Sequence, residues 1–374
     1  MTSPLSLSVS QLLSFRLSRQ HLSNPTHDIV SALQTAIGAQ AQVHSAGVLQ
    51  ILARCPALST EIIDGAWKGH QLVKLWWLRG TLHLLAKENV PLFLAATNGF
   101  YARYFSWYER QGISKDKLQG LLLAIPDILK DQPLSRRDLS KILVPEVGQW
   151  AKPLLEHNWG GVNKLAQGLG LVCHSPLSKS ETLFMPLPDS LKPKISPKQA
   201  VQKLPHHYLH CYGPASLQDF IKFTQFPAAV VRQVWLALEK ETISITVDNK
   251  ILQILAVDGD NLFNAHSYDQ LIALPLFDPY LLAYKDSTWI LPVTYRPLVY
   301  RQAGWISAVI LNQGQVIAIW SYSYRPNTKR WDINLKPLIR WNKDLSKKSL
   351  QVIGRLLNAD THQLSLKFTE KEVE

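Results

Sequence analysis

Three times along this chain a run of short helical segments gives way to a pair of β-rich stretches, and that alternation narrows the folds open to it. The first run covers residues 9–19, 28–37, 45–54 and 59–66 and ends in 72–78 and 81–85, joined at Arg79-Gly80. The second covers 115–130, 136–143 and 162–168, then 170–175 and 182–186. Ser135 stands at its N-cap position, where a hydroxyl can accept from an orphan first-turn amide. The third covers 199–208, 216–224 and 227–239, then 243–247 and 250–255, with Asp248-Asn249 as a two-residue turn. The runs share a pattern and no visible sequence. Helices followed by a short hairpin describe a winged helix, a helix-turn-helix with a β wing.

From residue 272 the character changes. Stretches 288–294, 305–311, 315–324 and 331–335 are β-rich, and Asn312-Gln313-Gly314 reads as a turn. A helix at 346–358, a strand at 363–368 and a charged tail at 369–374 follow. The expected fold is α+β: three tandem winged-helix units and a small antiparallel β-barrel. The corresponding segments are 1–112, 113–196, 197–271 and 272–374. The basic, proline-rich stretch 192–198 reads as a linker.

A formal charge of +12 favours a polyanionic partner, because lysine and arginine facing phosphates release counterions. Three widely spaced cysteines without a CxxC pair point to a reduced, cytoplasmic protein. No apolar run approaches the roughly 18 residues of a membrane span, so no membrane role is expected. There is no Walker loop, GxGxxG, HExxH or GxSxG, and no lysine stands out as a Schiff-base nucleophile.

Within the first run, Gly38-Ala39-Gln40-Ala41-Gln42 lies between two helical segments. Gly38 suits the residue just past a helix end. If the chain then extends, Gln40 and Gln42 point the same way and Ala41 turns inward. Two uncharged carboxamides could hold a water molecule; two glutamines in a helix connection also make an ordinary polar turn.

Other groups carry two readings each. On an extended strand Arg79 and His83 would share a polar face, an exposed hairpin edge. His206 and His210 sit one helical turn apart, yet no second pair completes a tetrahedral metal set, so a solvated helix end is expected and no metal. Asp278, before Pro279, fits either a base for water or a helix cap, and the cap is favoured. Arg325, Lys329 and Arg330 crowd a hairpin tip between Tyr324 and Trp331; the tip is either a nucleic-acid contact or a solvated loop.

The motifs QAQ at 40–42, LVKLWWLRGTLHLL at 72–85, YGPASLQDF at 212–220 and LPLFDPYLLAYKD at 274–286 occur in this order. Together they resemble the AlkZ/YcaQ-like family of bacterial DNA glycosylases, over nearly the whole chain. That family reads Gln-hydrophobic-Gln in one branch and Gln-hydrophobic-Asp in the other, so Gln42 resembles the AlkZ-like branch. The resemblance implies a C-shaped molecule around a basic central channel. It also implies monofunctional hydrolysis of the N-glycosidic bond of N7-alkylated purines, including crosslinked ones, without a cofactor.

By the same resemblance Gln42 orients the water, and Gln40 helps hold it and the deoxyribose. Arg79 contacts phosphate, and His83 hydrogen-bonds near the lesion. The implied partner is double-stranded DNA bearing alkylated or crosslinked purines, and the implied state a monomer. The rival reading is a non-catalytic winged-helix DNA-binding protein, a regulator or resistance protein, because fold alone does not fix function.

Overall fold

The computed structural model describes residues 5–158, 160–178, 181–263 and 268–369. The charged tail beyond Thr369 lies outside the described residues. The chain divides into two compact units. Asp64–Leu204 form one; the other combines the residues up to Ile63 with those from Pro205 onward.

In the Asp64–Leu204 unit, the strands Leu72–Trp76 and Leu82–Ala86 form an antiparallel hairpin. A second hairpin, Val172–His174 with Leu183–Pro186, joins the same sheet by the pairing of Lys74 with His174. Four helices cover the sheet: Val90–Arg110, Lys115–Ile128, Arg136–Val147 and Gly161–Gly168. Ser135 caps the third, its hydroxyl accepting from the Asp138 amide, as its position predicts. The 21-residue Val90–Arg110 helix has no counterpart in the sequence expectations. It is anchored through aromatics. The Trp77 indole N–H donates to Phe93 O at 2.9 Å, and the Tyr101 hydroxyl donates to Trp77 O at 2.6 Å. Tyr101 lies so close to the Gly161–Gly168 helix that a Cβ on Gly168 would stand 2.3 Å from its ring, so glycine is required there.

In the other unit, Leu5–Leu7 adds in parallel to the hairpin Thr242–Val247 with Lys250–Leu255. Leu7, Leu12 and Phe15 pack with Ile245, Val247, Leu252 and Ile254 into one core. The turn falls on Asp248 and Asn249 as expected, both at positive φ, 46° and 61°. In each of the three runs a helix precedes an antiparallel hairpin: Thr60–Lys68, Gly161–Gly168 and Ala228–Leu236.

The C-terminal sheet corrects the expected antiparallel barrel. It is an open, five-stranded sheet in the order Ile272–Leu274, Ala308–Asn312, Gln315–Arg325, Arg330–Pro337, Leu364–Phe368. The last strand pairs in parallel with Arg330–Pro337. The reason is partly local. Residues 288–294 make no strand, since Val293–Tyr295 is a 3-10 turn and Arg296–Val299 a short helix. Pro292 and Pro297 remove two ladder donors from this segment. The segment therefore adds no strand to the sheet, and the Lys343–Leu357 helix packs against Ile272–Leu274.

Candidate active site

The approach to the glutamines is set by how one helix ends. Asp28 caps Ile29–Thr35 by accepting from the Val30 and Ser31 amides. At the other end Gly38 N–H donates to Leu33 O at 2.8 Å and Ile37 N–H to Gln34 O at 3.1 Å. This is a Schellman ending. The residue just past the helix cap is Ile37, at φ 49°, and Gly38 follows at φ 88°. A β-branched residue in the left-handed region costs about 1 kcal/mol or more. The surroundings hold it there: the Tyr212 hydroxyl donates to Ala36 O, and the Cys211 thiol to Gln34 O at 3.2 Å.

Ala39–Gln40 is then extended. Ala41 is fully buried, Gln40 is 6% exposed and Gln42 is half-buried. The backbone of Gln40 is gripped by the side chain of Gln50. Gln40 N–H donates to Gln50 Oε1, and Gln50 Nε2 donates to Gln40 O, each at 2.9 Å. Gln50 Nε2 also donates to Leu276 O at 3.0 Å. One turn on, Arg54 donates from Nη1 to Gln50 O at 2.9 Å and meets Asp278 in a bidentate pair, both contacts at 3.0 Å. Asp278 also accepts from the Tyr280 amide at 3.0 Å, so it is both the expected cap and a counter-ion. Burial by itself works against the Arg54 charge, and Asp278 more than offsets it, so the guanidinium is held above its ordinary pKa.

Gln50 and Arg54 are the residues that sequence reasoning missed. Their signal was present: two polar residues at i, i+4 in the apolar helical stretch 45–54. Helical spacing puts them on one face.

Arg325, Lys329 and Arg330 belong to the same unit. Arg325 pairs with Arg330 in the register of the last hairpin, and the tip between them is exposed. Arg325 is tied to Asp332 by an ion pair across that hairpin. Tyr324 and Trp331 lie against each other beside the tip, their ring centroids 4.6 Å apart and their planes tilted by 47°, and Tyr324 is 47% exposed. His210 is engaged by Arg19, beside Asp258. Among the described residues no His, Cys, Asp and Glu cluster could hold a metal.

Arg79 and His83 lie in the other unit. Arg79 is not on a strand. It occupies the turn Leu78–Gly80 at φ 57°, so the shared strand face expected for the two residues does not form. Nor is His83 at an exposed edge: it is 3% exposed, edge-on to Trp77 with centroids 5.3 Å apart. Its Nδ1 lies 3.0 Å from Thr81 O, and a carbonyl only accepts, so the proton sits on Nδ1.

Residues 33–358 match the family described as DNA glycosylase AlkZ-like. The chain belongs to this AlkZ-like family. It is 27% identical over 335 residues to an "Interstrand DNA cross-link repair glycosylase" of Streptomyces sahachiroi, covering 83% of this chain and 86% of the relative. Its fold is similar to that of Streptomyces sahachiroi DNA glycosylase AlkZ. That similarity has a TM-score of 0.85 at 23% identity, over 98% of this chain and 100% of the other. Among the described residues no helix is long and apolar enough to cross a membrane.

The buried histidine gives this AlkZ-like chain a pH signature. Burial first, and the Arg79 charge second, push the His83 pKa down to about 3. The unfolded imidazole takes up a proton near pH 6.5, while the folded one resists to about 3. Stability is therefore lost as pH falls through 6.5, and the loss levels off below 3. Between pH 7.5 and 5 the His83 contribution is expected to be about 2 kcal/mol. Urea unfolding at both pH values should show it in the wild type and not in His83→Gln. An equal acid sensitivity in the two proteins would disprove the assignment.

Proposed function

We propose that this AlkZ-like chain is a monofunctional DNA glycosylase. It hydrolyses the N-glycosidic bond of N7-alkylated purines in duplex DNA and unhooks interstrand crosslinks formed through them. The observation that carries the reading is the family match over residues 33–358, with the glutamine motif inside it. The name of the Streptomyces sahachiroi relative supports the crosslink part.

The chemistry suits uncharged groups. Alkylation at N7 makes the purine cationic and a good leaving group. The glycosidic bond stretches toward an oxocarbenium-like sugar before water adds, so the enzyme needs mainly to place that water and stabilise developing charge. In this reading Gln42 orients the water, while Gln40 steadies it and the deoxyribose. His83, neutral at physiological pH, serves as a hydrogen-bonding group near the lesion, and Arg79 meets a phosphate. The three helix-then-hairpin groups serve as winged-helix units, following the segments 1–112, 113–196 and 197–271. The protein works as a cytoplasmic monomer without a cofactor.

The deciding experiment uses duplex DNA carrying 7-methylguanine. After incubation, strand breaks at the modified base should appear with alkali and not without it. No alkali-dependent break would reject the reading in favour of a non-catalytic DNA binder. Breaks without alkali would reject the monofunctional part.

Binding should be electrostatic and largely independent of sequence. With about five or more phosphates neutralised, affinity should drop by orders of magnitude between low and moderately high salt. Replacing Arg325, Lys329 and Arg330 together with alanine should weaken binding to all duplexes alike. It should also reduce the slope of log affinity against log salt by about 2–3. Excision should slow at subsaturating enzyme and less at saturation. An unchanged slope would mean that the hairpin is a solvated loop.

A further inference from the structure

Gln50 does for Gln40 what a neighbouring strand would do. Its carboxamide accepts from one backbone N–H and donates to the carbonyl of the same residue, each at 2.9 Å. That is the reciprocal pairing of an antiparallel ladder, made by a single side chain. Its other amide hydrogen goes to Leu276 O at 3.0 Å. Two residues further on, Asp278 holds Arg54, and Arg54 holds the Gln50 backbone carbonyl. The main chain at Gln40 is thus referenced to residues 276–278, far from its own loop.

A packing role would not call for a carboxamide. The other buried side chains of the His44–Leu52 helix are Ala46, Val48, Leu49, Ile51 and Leu52. Gln50 is 1% exposed, and a polar group that deep is costly unless satisfied. It is satisfied, and its bonds go to the backbone of the motif and to Leu276.

We propose that Gln50 is a positioning residue for base excision: its side chain fixes the backbone that carries Gln40 and Gln42, and Arg54 with Asp278 holds Gln50 in place. This rests on the reading of the glutamine pair as the excision machinery.

The test uses the full chain with Gln50→Leu and Gln50→Glu. The glutamate keeps an acceptor for the Gln40 N–H but sets an oxygen against two carbonyls. Single-turnover excision of 7-methylguanine is measured at a temperature where melting curves show each variant folded. The maximal rate should fall about 10- to 100-fold, as small misplacements of catalytic groups do. The enzyme concentration giving half the maximal rate should stay within about 3-fold, since phosphate contacts are untouched. A wild-type maximal rate, or a loss confined to half-saturation, overturns the proposal.

A second measurement needs no variant. In the wild type the Gln40 amide should exchange slowly with deuterium, and exchange as fast as an unbonded loop amide overturns the proposal even if neither variant folds. If the wild type excises nothing, the excision reading has failed instead, and amide exchange alone judges the clamp.

Discussion

Replacing Gln42 with alanine is expected to lower the maximal rate of 7-methylguanine excision by about 100- to 1,000-fold, the loss typical of one pre-placed hydrogen-bonding group at a reacting centre. Duplex affinity should stay within a few-fold, because an uncharged carboxamide contributes little to counterion release. The change should leave the fold intact. Gln42 is half-buried, and Ala41, the motif residue that is fully buried, is untouched. Gln40→Ala should impair excision as well. The side-chain clamp there grips the Gln40 backbone, so truncation leaves the strand where it was. Single-turnover rates with each variant and with the double variant check this. Wild-type rates in the double variant would sink the assignment.

The largest stability loss is expected from Asp278→Ala. Asp278 and Arg54 are buried together, with side-chain exposures of 0% and 1%. Removing one partner leaves a guanidinium in a medium that cannot solvate it, which costs about 3–5 kcal/mol. Replacing both, with Arg54→Leu added, should recover part of that loss, because an apolar pair carries no uncompensated charge. Urea unfolding of the single and double variants measures the difference. A single variant within about 1 kcal/mol of wild type would mean that the pair is far less isolated from water than its burial implies.

Much of the local structure was legible because it rests on local chemistry. The first helix, Val9–Arg19, has the expected bounds, since the Ser8 hydroxyl and the Gln11 side chain close a capping box at its start. The Asp248-Asn249 turn was legible for a similar reason: these residue types tolerate the left-handed backbone that a tight hairpin demands. The Val90–Arg110 helix was not. It contains Asn98 and Gly99 and seven aromatics, which dilute a helical pattern, and packing of Phe93 and Tyr101 supports it. The barrel expectation failed in part at 288–294, read as β-rich although Pro292 interrupts it.

At the candidate site the glutamine motif was readable, with its glycine. Ile37 taking the left-handed position was not, because propensity assigns that place to glycine. The clamp was hidden for a different reason: Arg54 and Asp278 are 224 residues apart, and no periodicity reports a contact at that range.

That separation bears on the order in which the molecule is made. On the ribosome, Gln40, Gln50 and Arg54 emerge early, while Leu276 and Asp278 emerge only after the whole Asp64–Leu204 unit. Domains tend to form as units while synthesis proceeds, so the inserted unit can complete before its host does. Throughout that interval Arg54 lacks Asp278 and Gln50 lacks the Leu276 carbonyl. The contacts that tie Gln50 and Arg54 to residues 276–278 are therefore late additions to the nascent chain.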